Sequence, residues 1–408
     1  MPLTRRQILR RRRATVFGGL AVLLASGIYL PFTLLAPLSA NAAEVLPWQA
    51  PVTAAAQLDW PSYGASAIGA IGYAGVLGSS GAAEPQSIAS ITKVVTALVV
   101  LEAKPLAPGE QGPEVTTTAN DSALFNSYLA RNGKVEPVKA GLVLSEYQLL
   151  QLTLVASANN YTATLVNWAF GSEEAFLPVA RVWLAAHGLN ETTLTDATGM
   201  NAQNTSTASD LVELGKIALA DPIVAELVAT QRISISYVGE IDNTNELLGT
   251  AGVRGLKTGT LDEAGACLLF AADYQIAGTT VTLVGVILGG DDHPSLNRDV
   301  VTLLTAAQSG FREVQLTASG TEYASYSTEW GDASDVVATT NASIVVWADT
   351  PITLLVEARP ITLERAGAAV GSLHFAVGTQ EVEVPLELES EIDDPGAWWR
   401  LTHPAELF

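Results

Sequence analysis

The stretch Pro85-Gln86-Ser87-Ile88-Ala89-Ser90-Ile91-Thr92-Lys93-Val94-Val95-Thr96-Ala97-Leu98-Val99-Val100-Leu101 decides how this chain is read. Its apolar, partly β-branched second half suits a buried strand as well as a helix, because periodicity alone does not separate the two in a short run. The length of the run favours a helix over 87–101. Residues three apart on a helix are neighbours, with about 5–6 Å between Cβ atoms, so Lys93 reaches the hydroxyl of Ser90 one turn earlier. Taken alone, Ser90 is an ordinary helix cap and Lys93 an ordinary solvated side chain. The pair acquires meaning from two fragments elsewhere.

Ser157-Ala158-Asn159 follows the apolar helix Leu149–Val155, which opens on the capping box Ser145-Glu146-Tyr147-Gln148. Lys257-Thr258-Gly259 lies in the strand-like run Leu256–Thr260. Ser90 and Lys93 form the only Ser-x-x-Lys in the chain, and Lys257 begins its only Lys-Thr-Gly. The ordered set supplies a nucleophile with a base, a hydroxyl that relays a proton, an amide that meets a peptide backbone, and a cationic strand edge that holds a carboxylate. A lysine works as a base only when neutral. From a reference pKa of about 10.4, neutrality near pH 7 needs a drop of about three units, on the order of 4 kcal/mol. Burial and a second cation both act in that direction, and Lys257 is the cation available.

The chain has 408 residues and a formal net charge of -21. Six of its 21 basic residues are Arg5, Arg6 and Arg10 to Arg13, which leaves 15 against 42 acidic residues beyond them. An acidic body of that kind excludes nucleic acid and anionic lipid as natural partners, since both need clustered cations. Cys267, the lone cysteine, sits in the apolar run Ala266–Phe270 and reads as a small buried hydrophobe. The four histidines have no metal-ligand spacing, so no metal or cofactor is implied.

Ala14 to Ala43 carries no charge and is long enough to cross a bilayer, which needs about 20 apolar residues. The preceding arginines hold that end in the cytoplasm and send the body outward. Ala40-Asn41-Ala42 resembles a signal-peptidase site, so a retained anchor and a cleaved signal both stay open. Residues 44–56 read as a linker. Next come a buried strand over 66–77, a polar surface excursion over 102–141 and a mainly helical region to about 230. Strands follow at 256–260, 267–273 and 279–288, then a closing helix over 297–308. From 315 to 408 the pattern is all-β, and Glu381 to Glu389 alternates strictly, with Pro385 marking an edge strand. The order strand, helices, strands predicts an α+β fold in which a helical subdomain packs on an antiparallel sheet.

The flanking segments resemble the penicillin-recognising serine acyltransferases, specifically the low-molecular-mass D-alanyl-D-alanine carboxypeptidases. They do so in Pro85–Lys93, Asp196-Ala197-Thr198-Gly199-Met200, Ser206–Leu211, Asn243–Leu248 and Gly255–Thr260 followed by Glu263-Ala264-Gly265. That resemblance covers about residues 56–314 and implies a β-lactamase/transpeptidase-like fold. The domains expected are a basic cytoplasmic start at 1–13, a transmembrane anchor or signal at 14–43, the linker, a penicillin-binding carboxypeptidase domain at 57–314 and a C-terminal β-strand domain at 315–408. Ser90, Lys93 and Ser157 would be catalytic. Asn159, Lys257, Thr258, Gly259, Thr260 and Arg298 would bind substrate, and the N–H groups of Ser90 and Thr260 would hold the oxyanion. Gly259 would let substrate approach the backbone.

Expected partners are the peptidoglycan pentapeptide, β-lactams as covalent inhibitors and, through the N-terminal segment, the membrane. The body would lie at the extracytoplasmic face, anchored or secreted to the wall. Asn160, Asn204 and Leu261 depart from the family's frequent Asp, His and Thr. Competing readings are an endopeptidase, a class A-like β-lactamase using Glu191, and a non-catalytic wall or β-lactam binding protein.

Overall fold

The computed structural model describes residues 4–51 and 54–407. Residues 1–3, 52–53 and 408, which belong to the expected basic start, linker and β-strand domain, lie outside the described residues. Helix α1 (Arg5–Leu34) and the two-residue strand β1 (Glu44–Val45) come first, followed by β2 (Ala65–Ala70) and β3 (Gly78–Gly81). Helices α2 (Thr92–Ala103), α3 (Ala119–Leu129), α4 (Glu146–Leu154), α5 (Asn159–Phe170), α6 (Glu173–Ala186), α7 (Ala208–Ala220) and α8 (Pro222–Ala229) then run in sequence. Strands β4 (Val253–Leu261), β5 (Gly265–Ile276) and β6 (Thr279–Gly290) precede α9 (His293–Ser309). Further strands are β7 (Glu322–Ser327), β8 (Ala333–Ala338), β9 (Ile352–Ala358), β10 (Ala369–Val377) and β11 (Gln380–Leu388), before α10 (Gly396–Thr402).

Two compact units result. One comprises Val52–Glu313 with Val345–Thr350, and the other Met1–Pro51, Val314–Ile344 and Pro351–Phe408. In the first unit an antiparallel sheet runs in the order β4-β5-β6-β2-β3. Successive side chains of a strand face opposite ways, and β5 uses both faces: Cys267, Leu269 and Ala271 pack under the helices, while Leu268, Phe270 and Ala272 pack on the side of α9. Cys267 is fully buried, and burial pushes its thiol up to about 11. Helix α2 is buried from Thr92 to Leu101, as a helix that is apolar all round must be. It is the central helix, and the strand alternative for this stretch fails.

Several boundaries move. The first strand stops at Ala70 rather than 77. The polar excursion contains α3, opened by a capping box from Thr118 to Asp121; the acid is one carbon shorter than the usual Glu or Gln. Helix α9 starts at His293, four residues early, because Asp292 caps it and Pro294 suits its first turn.

The second unit carries an antiparallel sheet ordered β1-β7-β8-β11-β10-β9. Strand β11 buries Val384, Leu386 and Leu388, yet it lies inside the sheet and not at the expected edge. Pro385 sits at the last rung on the β8 side, where its carbonyl accepts from Thr339 N–H at 3.1 Å and the Thr339 carbonyl takes Ser319 Oγ in place of the missing proline N–H. The expected linker also changes character. Glu44 and Val45 pair with Ser325 and Ala324, and Asn41 bridges Ile361. An open strand edge recruits extended backbone readily, and this one takes the residues after α1 as its outermost strand.

Phe270→Ala, at a fully buried site where the ring covers Gly285, should lower stability by about 3–5 kcal/mol in denaturant unfolding.

Candidate active site

Ser90 stands in a single 3-10 turn, Ala89–Ile91, that runs into α2. Ala89 has φ 44, a left-handed conformation that costs a non-glycine residue about 1–2 kcal/mol. Two glycines press on this turn. A Cβ on Gly199, itself at φ +82, would lie 1.9 Å from the Ala89 carbonyl oxygen. A Cβ on Gly259 would lie 2.9 Å from that of Ile88. Gly259 is therefore needed where β4 crosses the nucleophile turn.

Lys93 is fully buried one turn along. Its Nζ lies 2.9 Å from Ser90 Oγ, 2.6 Å from Asn159 Oδ1 and 2.6 Å from the Thr198 carbonyl oxygen. Burial first, and then the charge of Lys257, hold this amine well below the ordinary lysine value, while Asp196 acts weakly the other way. A neutral amine has two N–H groups and one lone pair. Asn159 and Thr198 take the two hydrogens, and the lone pair is left for the Ser90 hydroxyl.

The Thr198 carbonyl is aimed by its neighbours. Asp196 Oδ1 accepts from Thr198 N, Thr198 Oγ1 and Gly199 N at 2.6–2.8 Å, and its Oδ2 accepts from Asn201 N. Asn204, buried, ties this turn to the start of α2: Oδ1 accepts from Thr195 and Asp196 N–H, and Nδ2 donates to Thr92 Oγ1 and the Asp196 carbonyl. Asn160 pins the loop at Glu136 through its backbone N–H and C=O. Two of the three departures from the family pattern, Asn160 and Asn204, are thus scaffold contacts, while Leu261 lines the cavity.

A cavity of about 650 Å³ brings together Ser90, Ser157, Asn159, Thr258 and Thr260. Ser157 is held at φ 58 between α4 and α5, so its hydroxyl is set by strained backbone rather than by a helix. Asn159 begins α5, its N–H donating to the Lys134 carbonyl. Lys257, on the sheet-edge strand β4, lies buried with Nζ 3.1 Å from the Thr258 carbonyl; burial, then Lys134, draws its pKa down to about 7. Arg298 is exposed on α9 and is not among the residues lining this cavity.

Sequence reasoning missed four neighbours of the cavity. Thr244 bonds Thr258 hydroxyl to hydroxyl at 2.6 Å, and it stood inside a stretch quoted only as a spacer. His293, half-buried at the start of α9, meets Thr260 Oγ1 at 2.7 Å through Nε2, and burial lowers its pKa. Arg131 and Lys134 come from the loop after α3, which reads as plain surface in the sequence. Among the described residues, no group of three or more His, Cys, Asp or Glu is placed to hold a metal ion.

A serine whose only nearby base is a buried lysine, set beneath the edge of an antiparallel sheet, is the arrangement of the lysine-dependent serine acyltransferases. The peptidase S11 profile, described as D-alanyl-D-alanine carboxypeptidase, matches residues 69–291, and the chain belongs to that family. It is 30% identical over 190 residues to a D-alanyl-D-alanine endopeptidase of Pseudomonas aeruginosa, covering 45% of this chain and 58% of that one. It is 24% identical over 249 residues to the D-alanyl-D-alanine carboxypeptidase DacA of Escherichia coli, covering 60% of each. The chain thus spans somewhat under two thirds of these relatives' length. The fold matches a peptidoglycan synthesis regulatory factor (PBP3) from Streptococcus pneumoniae with a TM-score of 0.59 at 20% identity, over 84% of this chain and 100% of that one.

Asn204→Ala leaves Thr92, Thr195 and Asp196 groups without partners and should cost about 1–3 kcal/mol by thermal unfolding. Gly199→Ala combines backbone strain with contact on Ala89 and should cost more than about 1 kcal/mol in the same measurement.

Proposed function

We propose that this chain is a serine-type D-Ala-D-Ala carboxypeptidase that removes the terminal D-alanine from peptidoglycan stem peptides. The observation that carries this is the pairing of Ser90 Oγ with the fully buried Lys93 amine. Ser90 Oγ attacks the carbonyl before the terminal D-alanine, and its proton passes to Lys93 Nζ. The Ser90 and Thr260 N–H groups hold the oxyanion. Ser157 returns a proton to the leaving nitrogen as the C–N bond breaks, D-alanine departs, and water cleaves the Ser90 ester. Thr258, with Lys257, grips the substrate carboxylate, and Asn159 meets the peptide backbone. Arg298, exposed on α9, acts in this scheme only from the margin of the site.

β-Lactams would acylate the same serine. Glu191, the residue a class A-like β-lactamase reading requires, is exposed and outside the cavity lining, which supports the peptidase reading over that one. The body acts at the extracytoplasmic face, held by α1 as a retained single anchor. Support for retention comes from Asn41, whose backbone pairs with Ile361, and from the Ala36 carbonyl, which accepts from Arg400 Nη1 inside the second unit; cleavage after Ala42 would strip both away. A second reading, endopeptidase action on cross-links, is favoured by the Pseudomonas aeruginosa relative's name. Release of D-alanine from a pentapeptide but not cleavage of a cross-linked dimer separates the two.

Ser90→Ala should abolish both covalent penicillin labelling and D-alanine release, read by mass spectrometry and amino-acid assay; retention of either removes Ser90 from the role. Lys257 carries its charge below about pH 7 and loses it above. KM for a substrate with a free carboxylate should therefore rise as pH passes about 7, by up to about tenfold per unit, with kcat little changed. A KM flat from pH 6 to 9 would remove Lys257 from carboxylate binding.

A further inference from the structure

Helix α10 lies against the outer end of α1 within the second unit. Tyr29 Oη donates to the Leu401 carbonyl at 2.7 Å, and Arg400 Nη1 donates to the Ala36 carbonyl at 2.6 Å. The Arg400 guanidinium is buried and neutralised by Asp394, with Nη2 2.6 Å from Oδ2. Trp399 turns inward, stacked on His403 at 5.1 Å and edge-on to Trp330 at 5.8 Å. Its neighbour Trp398 turns outward and is 79% exposed, next to a helix end that also exposes Phe32 and Leu35.

The depth of this contact follows from the length of α1. Its charge-free part runs from Ala14 to Leu34, which at 1.5 Å per residue spans about 31 Å, against a hydrocarbon core of about 30 Å. With the arginines held at the inner surface, Leu34 reaches the outer boundary and Tyr29 lies about 7.5 Å below it. A helix bonded both to Tyr29 and to Ala36, two residues beyond Leu34, therefore straddles that boundary, the level where tryptophan is enriched in membrane proteins.

The geometry points to α10 as a membrane-interface clamp, with Trp398 inserted in the outer leaflet at the mouth of α1 and the second unit held down on the bilayer surface. The partner is the lipid interface itself, met through an aromatic ring and not through charge, which suits an acidic body. This rests on the reading of α1 as a retained anchor, and it adds a second, independent attachment.

The test uses the full chain in phosphatidylcholine nanodiscs, with Cys267→Ala removing the lone native thiol. A Trp398→Cys variant carrying an environment-sensitive dye is compared with a Glu381→Cys variant labelled at the exposed face of β11. Trp398 is almost free of packing, so the substitution leaves the fold intact. Lipid-borne doxyl quenchers should quench the dye at 398 several-fold more than at 381, and Tyr29→Phe should reduce that difference. Intact mass of the mature chain is read on the same sample. A retained α1 with equal quenching at both positions overturns the clamp and leaves the anchor standing. A mature chain that begins after Ala42 overturns the anchor and the clamp with it.

Discussion

The site turns on where the hydrogens of one amine go. Lys93 is fully buried, and its three polar neighbours, Ser90 Oγ, Asn159 Oδ1 and the Thr198 carbonyl, are neutral groups that do not offset a charge taken out of water. Removing a charge from water costs several kcal/mol, so the folded chain holds Lys93 in the form that has a lone pair to give. Asn159 Oδ1 and the Thr198 carbonyl then fix the direction of that lone pair by occupying both N–H groups. A solvated lysine at the same distance from Ser90 would be charged and useless as a base. Burial leaves the amine unprotonated, and the two acceptors give its lone pair an aim.

Keeping that aim requires the nucleophile turn to be rigid. Gly199 and Gly259 come from distant parts of the chain and close on the carbonyls of Ala89 and Ile88. Asn204 draws the Asp196 turn onto Thr92, and Asp196 in turn orients the Thr198 peptide. The left-handed backbone at Ala89 and Ser157 persists because the surroundings over-determine it. The segments that a family pattern presents as spacers between reacting residues are, physically, the braces that hold one carbonyl and one hydroxyl still.

The fold and the core of the site were legible because they rest on patterns with a period or a spacing. Neighbouring apolar runs at 267–273 and 279–288 with a short connection read as antiparallel strands, and the three-residue spacing of Ser90 and Lys93 reads as one helical turn. The residues that escaped notice depend on tertiary contact. Arg131 and Lys134 look like any surface cations until the loop after α3 folds over the start of α5. His293 has no local signal, since its value lies in the start of α9 meeting the end of β4. Pro385 argued for an edge strand by a sound rule, but the rule concerns the missing N–H, and a strand can be interior where that N–H falls at the last rung and a side chain takes the facing carbonyl.

At the end of the cleft where the substrate carboxylate is proposed to bind, tertiary contact changes the chemistry as well as the residue list. Position in the sequence pointed to Arg298, yet the earlier start of α9 moves its first residues to the cavity and leaves Arg298 exposed further along. Hydroxyls are prominent here: Thr244 meets Thr258, and Thr260 meets the His293 imidazole. An Arg fork binds a carboxylate by two directed, permanently charged bonds. A hydroxyl network backed by a buried lysine near its titration point supplies the same attraction only while that lysine is protonated. Binding in the proposed reaction is then coupled to the charge that also keeps Lys93 neutral, because the Lys257 cation acts on both. Losing its proton would loosen the substrate, while burial, the larger cause, still holds Lys93 well below the ordinary lysine value, so the ionisation of Lys257 falls on recognition more than on the base.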